Sequence, residues 1–311
     1  MTPGGRGASH SQEGVVLESL GGRYRVRFDD GSEGEAVLRG RLRLEKRTGD
    51  RVVTGDRVRA APVPDSDAHT LEEILPRQNE LVRAGPGGRG ARVVAANLDR
   101  CFVVLAVEEP AWDSAVADRF LALAESAGIP PILVVNKGDL PQAAELIATI
   151  EPLYRAVGYE VLVTSAKAGL GVARLRDLLS SGISAIIGPS GVGKSSLLNA
   201  LEPGLSLRTQ EVRLRSGQGR HTTVSARLLP LSSGGWVADT PGFSDVRLWG
   251  VGERELSRAF PEFDAPSEAC RFRGCSHIHE PDCAVREAVA EGRIAGSRYE
   301  SYRMMADSLN D

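Results

Sequence analysis

Two textures divide the chain. From about residue 14 to 63, short runs alternate apolar and polar positions (VVLE, YRVRF, EAVL, DRVRA), with the turn clusters GG, DDGSEG and TGD between them. Period-two alternation buries one face of a strand and wets the other, so this stretch is expected to form a small β-barrel of the OB type. From residue 93 the apolar positions become continuous, in CFVVLAV (101–107), PILVVN (131–136), EVLVT (160–164), ISAIIG (183–188) and WVADT (236–240). Strands that are apolar on both faces and spaced by helical segments belong to a parallel sheet covered on both sides. One such helix, over 113–127, carries its own punctuation, with Asp113 as N-cap and Gly128 as stop. Between the two textures, LPRQNELVRAGPGGRGAR (75–92) reads as an irregular link with an exposed, mobile tip at 85–90. After about 250 the chain turns helical and polar around a Cys/His cluster. The pattern implies a multidomain α/β protein: a disordered tail (1–12), an OB-like barrel (13–84), a central domain with a parallel sheet flanked by helices (85–250) and a helical C-terminal module (251–311).

Composition narrows this modestly. With 311 residues and 41% hydrophobic content the chain can bury one substantial core beside smaller modules. It has no apolar run of roughly 18 residues, and its start, MTPGGRGASHSQE, lacks the apolar centre of a secretory signal, so a cytoplasmic protein without a membrane partner is expected. The net charge of −3 gives no global polyanion signal, although 14–59 carries a mild basic excess. Lysine use is more telling. Only Lys46, Lys137, Lys167 and Lys194 are lysines among 38 basic residues, and the last three fall in motifs that need a point charge or a slim stem.

ISAIIGPSGVGKSSLLNAL supplies a strand, the spacing G-x-x-x-x-G-K-S and an amphipathic helix, which is the context of a phosphate-binding loop. Gly188, Pro189, Ser190, Gly191, Val192, Gly193, Lys194, Ser195 and Ser196 are the candidate phosphate-site residues. The glycines let backbone amides close around the β-phosphate, Lys194 bridges β- and γ-oxygens, and Ser195 offers a hydroxyl to Mg²⁺. At the end of WVADTPG, Asp239 suits an acid that holds Mg²⁺ through water, and the amide of Gly242 suits the γ-phosphate. Asn136, Lys137 and Asp139 of N-K-G-D follow another strand. Asp139 can accept from N1-H and the exocyclic amine of guanine, the stem of Lys137 can cover the base, and Asn136 can tie this loop to the phosphate loop. Thr164, Ser165, Ala166 and Lys167, again at a strand end, would then offer a backbone amide to O6. GTP and GDP are therefore the expected ligands.

In regulatory GTPases the phosphate loop comes first; here N-K-G-D and S-A-K precede it, so the central domain looks circularly permuted. That order, the barrel before, the Cys/His module after and the run GQGRHTT (217–223) together resemble the ribosome small-subunit-dependent GTPase family (RsgA type). The resemblance implies a GTP hydrolase acting in late maturation of the 30S subunit, its barrel touching 16S rRNA. A monomer is expected. Phe243 occupies the position where regulatory GTPases commonly place a water-orienting Gln, so His221 is the candidate catalytic residue, with an rRNA contact as its other reading. Thr222 or Thr223 completes Mg²⁺ coordination. Poorly held water in the free protein implies slow intrinsic hydrolysis, stimulated by the subunit.

Cys270, Cys275, His277 and Cys283 give C-x4-C-x-H-x5-C, a set suited to one closed, structural Zn²⁺. His279 is a rival ligand, and resemblance to the family's zinc knuckle favours His277. Two other functions fit parts of the pattern: an RNA-binding assembly protein that holds guanine nucleotide without hydrolysing it, and a P-loop ATPase or small-molecule kinase, against which Asn136 and Asp139 argue.

Overall fold

The computed structural model describes residues 11–38, 51–84, 90–205, 226–239 and 251–309. Alternation builds the barrel as its pattern implies. In β2 (Arg23–Phe28), Tyr24, Val26 and Phe28 point inward while Arg23, Arg25 and Arg27 face water. It sits among β1 (Gln12–Leu20), β3 (Glu33–Leu38), β4 (Arg57–Pro62) and β5 (His69–Ile74), in the ring order β1-β2-β3-β5-β4, with β4 closing back onto β1. Closure leaves no open edge, and Val16, Val26, Val58, Ala60 and Leu71 fill the interior. The fifth strand lies beyond the four runs marked by alternation, because Glu72 and Glu73 stand side by side in HTLEEI and blur its period.

The expected irregular link is corrected in part: β6 (Glu80–Ala84) and β7 (Ala91–Ala96) pair antiparallel as a two-stranded ribbon. Each segment is short and interrupted by arginine, so its strand character comes from burying Leu81, Ala95 and Ala96 against the rest of the molecule. The mobile tip expected at 85–90 falls, except for Gly90, outside the described residues.

The continuous apolar runs form β8 (Arg100–Ala106), β9 (Pro131–Asn136), β10 (Glu160–Val163), β11 (Ile183–Ile187) and, after the short β12 (Arg227–Pro230), β13 (Trp236–Asp239). Five of them are parallel in the order β10-β9-β8-β11-β13, and β12 adds an antiparallel strand beside β13. β12 then pairs with β1 at Glu18 and Arg227, so barrel and central sheet share one hydrogen-bonded ladder. Alternation along β1 lets consecutive residues serve both, Val16 in the barrel core and Leu17 in the sheet core, and the register shifts between Val16 and Glu18.

Alternate residues of β8 feed the two faces of the sheet. Val103 and Leu105 pack under α1 (Ser114–Ser126) and α2 (Ala143–Val157), whereas Phe102 and Val104 meet α3 (Val172–Leu178) and α4 (Lys194–Leu201). Asp113 caps α1 as expected, accepting from the amides of Ala115 and Val116. The C-terminal segment contains α5 (Glu253–Arg258), α6 (Asp264–Ser267), α7 (Ala284–Ala290) and α8 (Gly296–Leu309), packed around Leu256, Phe260, Phe263, Tyr302 and Met305. Ala122 of α1 completes that core. Among the described residues, no helix is long and apolar enough to cross a membrane.

Candidate nucleotide site and metal cluster

Residues 188–195 turn from β11 into α4 at the carboxyl end of the sheet, where parallel α/β folds place ligands. Two glycines are fixed by close approach. At Gly188 (φ +143°) a Cβ would stand 2.0 Å from the Val104 carbonyl oxygen, and at Gly193 (φ +96°) 2.3 Å from the Asn136 amide nitrogen. Gly193 begins α4 with no side-chain cap, which leaves the first-turn amides for a ligand. Lys194 donates to the carbonyls of Gly188 (2.7 Å) and Pro189 (2.6 Å), and burial lowers its ammonium to about 8. The loop thus holds its cation over its own mouth. Ser195 sits half-buried in the first turn and Ser196 is exposed beside it.

The base-reading motifs are brought to the same edge. Asn136, 2% exposed at the end of β9, donates to the Val192 carbonyl at 2.8 Å, which joins base loop to phosphate loop across 56 residues of sequence. Thr164 donates its hydroxyl to Asn136 Oδ1 at 3.1 Å and holds that amide in orientation. Lys137, at φ +62°, stretches its stem so that Nζ donates to the carbonyls of Glu108 (2.9 Å) and Glu109 (2.5 Å). The Ser165 hydroxyl holds the exposed Asp139 carboxyl below its usual range, with a smaller contribution from Lys167, so Asp139 stays an acceptor. Ala166 lies between them, half-buried. Sequence reasoning placed Thr164 in the strand-end run with S-A-K without its contact to Asn136, and it missed the two glutamate carbonyls. Thr164 directly precedes S-A-K and had a signal; the carbonyls had none.

Asp239 emerges from β13 next to β11, and its carboxylate lies 3.6 Å from the Arg227 guanidinium, its partner across the ladder. His221, Thr222, Thr223, Gly242 and Phe243 lie outside the described residues. Between the phosphate loop and α1 a cavity of about 280 Å³ is lined by Pro189, Val192, Asp113, Val116, Arg119 and Phe120, among others.

Some residues further on, Cys270, Cys275, His277 and Cys283 converge, their ligand atoms all within 4.8 Å of one another. His277 Nδ1 is 3.6 Å from Cys270 Sγ and 3.5 Å from Cys283 Sγ, and the two sulfurs are 3.9 Å apart. A tetrahedron with metal–sulfur bonds of about 2.3 Å and a metal–nitrogen bond near 2.05 Å has edges of about 3.8 and 3.6 Å, so these three edges match a metal of that size, with Cys275 Sγ within 4.8 Å of each. Burial lowers the His277 pKa and so favours the neutral imidazole that can ligate. His279 is exposed and outside the cluster. Tyr299 and Tyr302 of α8 donate to the carbonyls of His277 (2.7 Å) and Ser276 (2.6 Å), which pins the metal loop to the last helix.

Comparison with known proteins agrees with this geometry. A family model described as RsgA GTPase matches residues 74–249. The small ribosomal subunit biogenesis GTPase RsgA of Gemmatimonas aurantiaca is 44% identical, covering 96% of this chain and 98% of that one. The protein of the same name from Moorella thermoacetica is 41% identical over 93% of this chain and 94% of its own. Among solved structures, YjeQ from Thermotoga maritima superimposes with a TM-score of 0.80 at 34% identity, covering 96% of this chain and 99% of that one. YloQ, described as a circularly permuted GTPase, gives 0.77 at 31% identity, with 99% and 98% covered. With its strands permuted around the phosphate loop and its barrel and Cys₃His cluster on either side, the chain belongs to the RsgA GTPase family.

Proposed function

We propose that this GTPase acts in the biogenesis of the small ribosomal subunit, binding GTP and GDP in the cytoplasm as a monomer and touching 16S rRNA through its barrel. The single observation that carries the nucleotide reading is the Asn136–Val192 hydrogen bond, which ties base loop to phosphate loop. Asp139 then reads guanine, Ser165, Ala166 and Lys167 line O6, Lys137 covers the base, and residues 188–196 cradle the phosphates. Ser195 and Asp239, together with Thr222 or Thr223, would hold Mg²⁺, which would neutralise charge on the phosphates; Asp239 lies beside Arg227 in this structure. Gly242 donates to the γ-phosphate. The cluster of Cys270, Cys275, His277 and Cys283 holds Zn²⁺, a closed site that contributes folding energy and leaves no open position for chemistry.

His221 orients the attacking water, since Phe243 stands where a glutamine would, and the assembled subunit stimulates turnover. Single-turnover GTP hydrolysis with and without small subunits tests this. Wild-type protein should accelerate markedly with subunits, while His221→Ala should lose that acceleration and keep subunit binding; equal rates in both proteins remove His221 from catalysis.

A further inference from the structure

Arg298, near the start of α8, is 1% exposed, which for a guanidinium requires complete compensation inside the protein. Its Nη1 donates to Asp118 Oδ1 of α1 at 2.7 Å, and its Nε and Nη2 grip Glu262 at 2.7 and 3.1 Å. Its guanidinium also lies over Phe260 at 4.6 Å and over Tyr159 and Tyr154 at 5.6 and 5.8 Å. Tyr154 of α2 donates to the same Asp118 oxygen at 2.9 Å. Asp118 Oδ2, by contrast, is buried and has no hydrogen-bond partner among the described residues. An apolar plug of similar volume would often hold such a junction as well or better, so a buried ion pair is weak evidence of cohesion.

The position of α1 supplies a role. One side of it, Val116, Arg119 and Phe120, lines the cavity against Pro189 and Val192 of the phosphate loop. Another side, Asp118 and Ala122 one turn later, is taken by the C-terminal module. From Arg298, α8 runs to Tyr299 and Tyr302, which hold the backbone of the metal loop. We propose that Arg298 is a coupling joint: displacements of the phosphate loop on nucleotide exchange pass through α1 and the Asp118–Arg298 pair to α8 and the Cys₃His loop. The proposal rests on the nucleotide reading of residues 188–196 given above.

The test is hydrogen exchange on the full, metal-loaded chain with GDP and with a non-hydrolysable GTP analogue. In the wild type, α1, α8 and residues 275–278 should change protection together with the phosphate loop. In Arg298→Gln paired with Asp118→Asn, which keeps amide hydrogen bonds and removes both charges, α1 and the phosphate loop should still respond, while the response of α8 and 275–278 falls at least threefold. Because coupling is reciprocal, the analogue-to-GDP affinity ratio should also shift, roughly fivefold at the low end of allosteric effects. A merely structural role would move the melting temperature of both states equally and leave that ratio alone. If the double variant does not fold, Arg298→Lys, which keeps one ion pair, should give an intermediate response. An α8 that is silent to nucleotide in the wild type, or equally responsive in the variants, overturns the proposal while nucleotide binding stands. Failure to bind guanine nucleotide at all overturns the functional reading and this joint with it.

Discussion

The two flanking modules are fastened to the central sheet in opposite ways. The barrel is joined by main-chain pairing, β1 with β12 and the Ala96 amide to the Thr54 carbonyl, and by two side chains that donate to main-chain carbonyls, Thr54 to Ala226 and Asn97 to Gly55. The C-terminal module is joined through side chains, the Asp118–Arg298–Glu262 network and an apolar seam around Ala122. A main-chain ladder is directional, and it can shift only by breaking pairs whose orphaned groups are costly to bury. A side-chain joint can tilt through rotamer changes while its backbone stays intact. The barrel is therefore held in register with the sheet by pairing, whereas the C-terminal module is held by contacts that rotamer changes can alter.

Breaking each junction in turn sharpens this contrast. Arg298→Ala leaves two carboxylates buried without their cation, and denaturant unfolding should show a loss of about 3–5 kcal/mol, with hydrogen exchange rising first in α8. Gly55→Ala is next. Its φ is +87° and the new Cβ would stand 2.1 Å from the Ala96 carbonyl oxygen, so roughly 1–3 kcal/mol should be lost, with barrel and sheet amides loosening together. Selective loosening of the barrel alone would break the idea of a shared ladder. Thr54→Val removes a single buried hydrogen bond and should cost about 1 kcal/mol by the same unfolding measurement.

The smallest effect lies between the junctions. Lys194 in the nucleotide-free chain is depressed to about 8 by burial, and phosphates would raise it. Below that value the lysine is already charged and binding exchanges no proton; above it, near pH 9, GDP binding should take up as much as one proton. Calorimetry in two buffers of different ionisation enthalpy reads this number directly, and zero uptake at pH 9 would remove Lys194 from the phosphate site.

Legibility followed range along the chain. The phosphate-loop pattern was readable because it is local: Gly188, Gly193 and Lys194 lie within eight residues, and Gly193 is further required by the close approach of Asn136. The base motifs were readable as types, and the strand ends that carry them gave their direction. Cys270, Cys275 and Cys283 with His277 were equally visible, since ligands spaced over 14 residues form one loop. The ribbon β6–β7 was read as an irregular link because neither strand carries enough alternating residues to announce itself; its pairing depends on what it covers. Asp118 and Arg298 gave no signal either. Each reads as an ordinary surface charge on a helix, and 180 residues separate them.

By itself, then, the sequence determined the strand periods, the permuted order of the motifs and the chemistry offered to phosphate, guanine and metal, because these depend on residue type and short spacing. Tertiary structure decided which edges fuse: that β1 continues into the central sheet, that Thr164 sets the amide of Asn136, and that Arg298 is buried against α1. Those outcomes follow from burial, and a charge or a short strand takes its meaning from the surface folded against it.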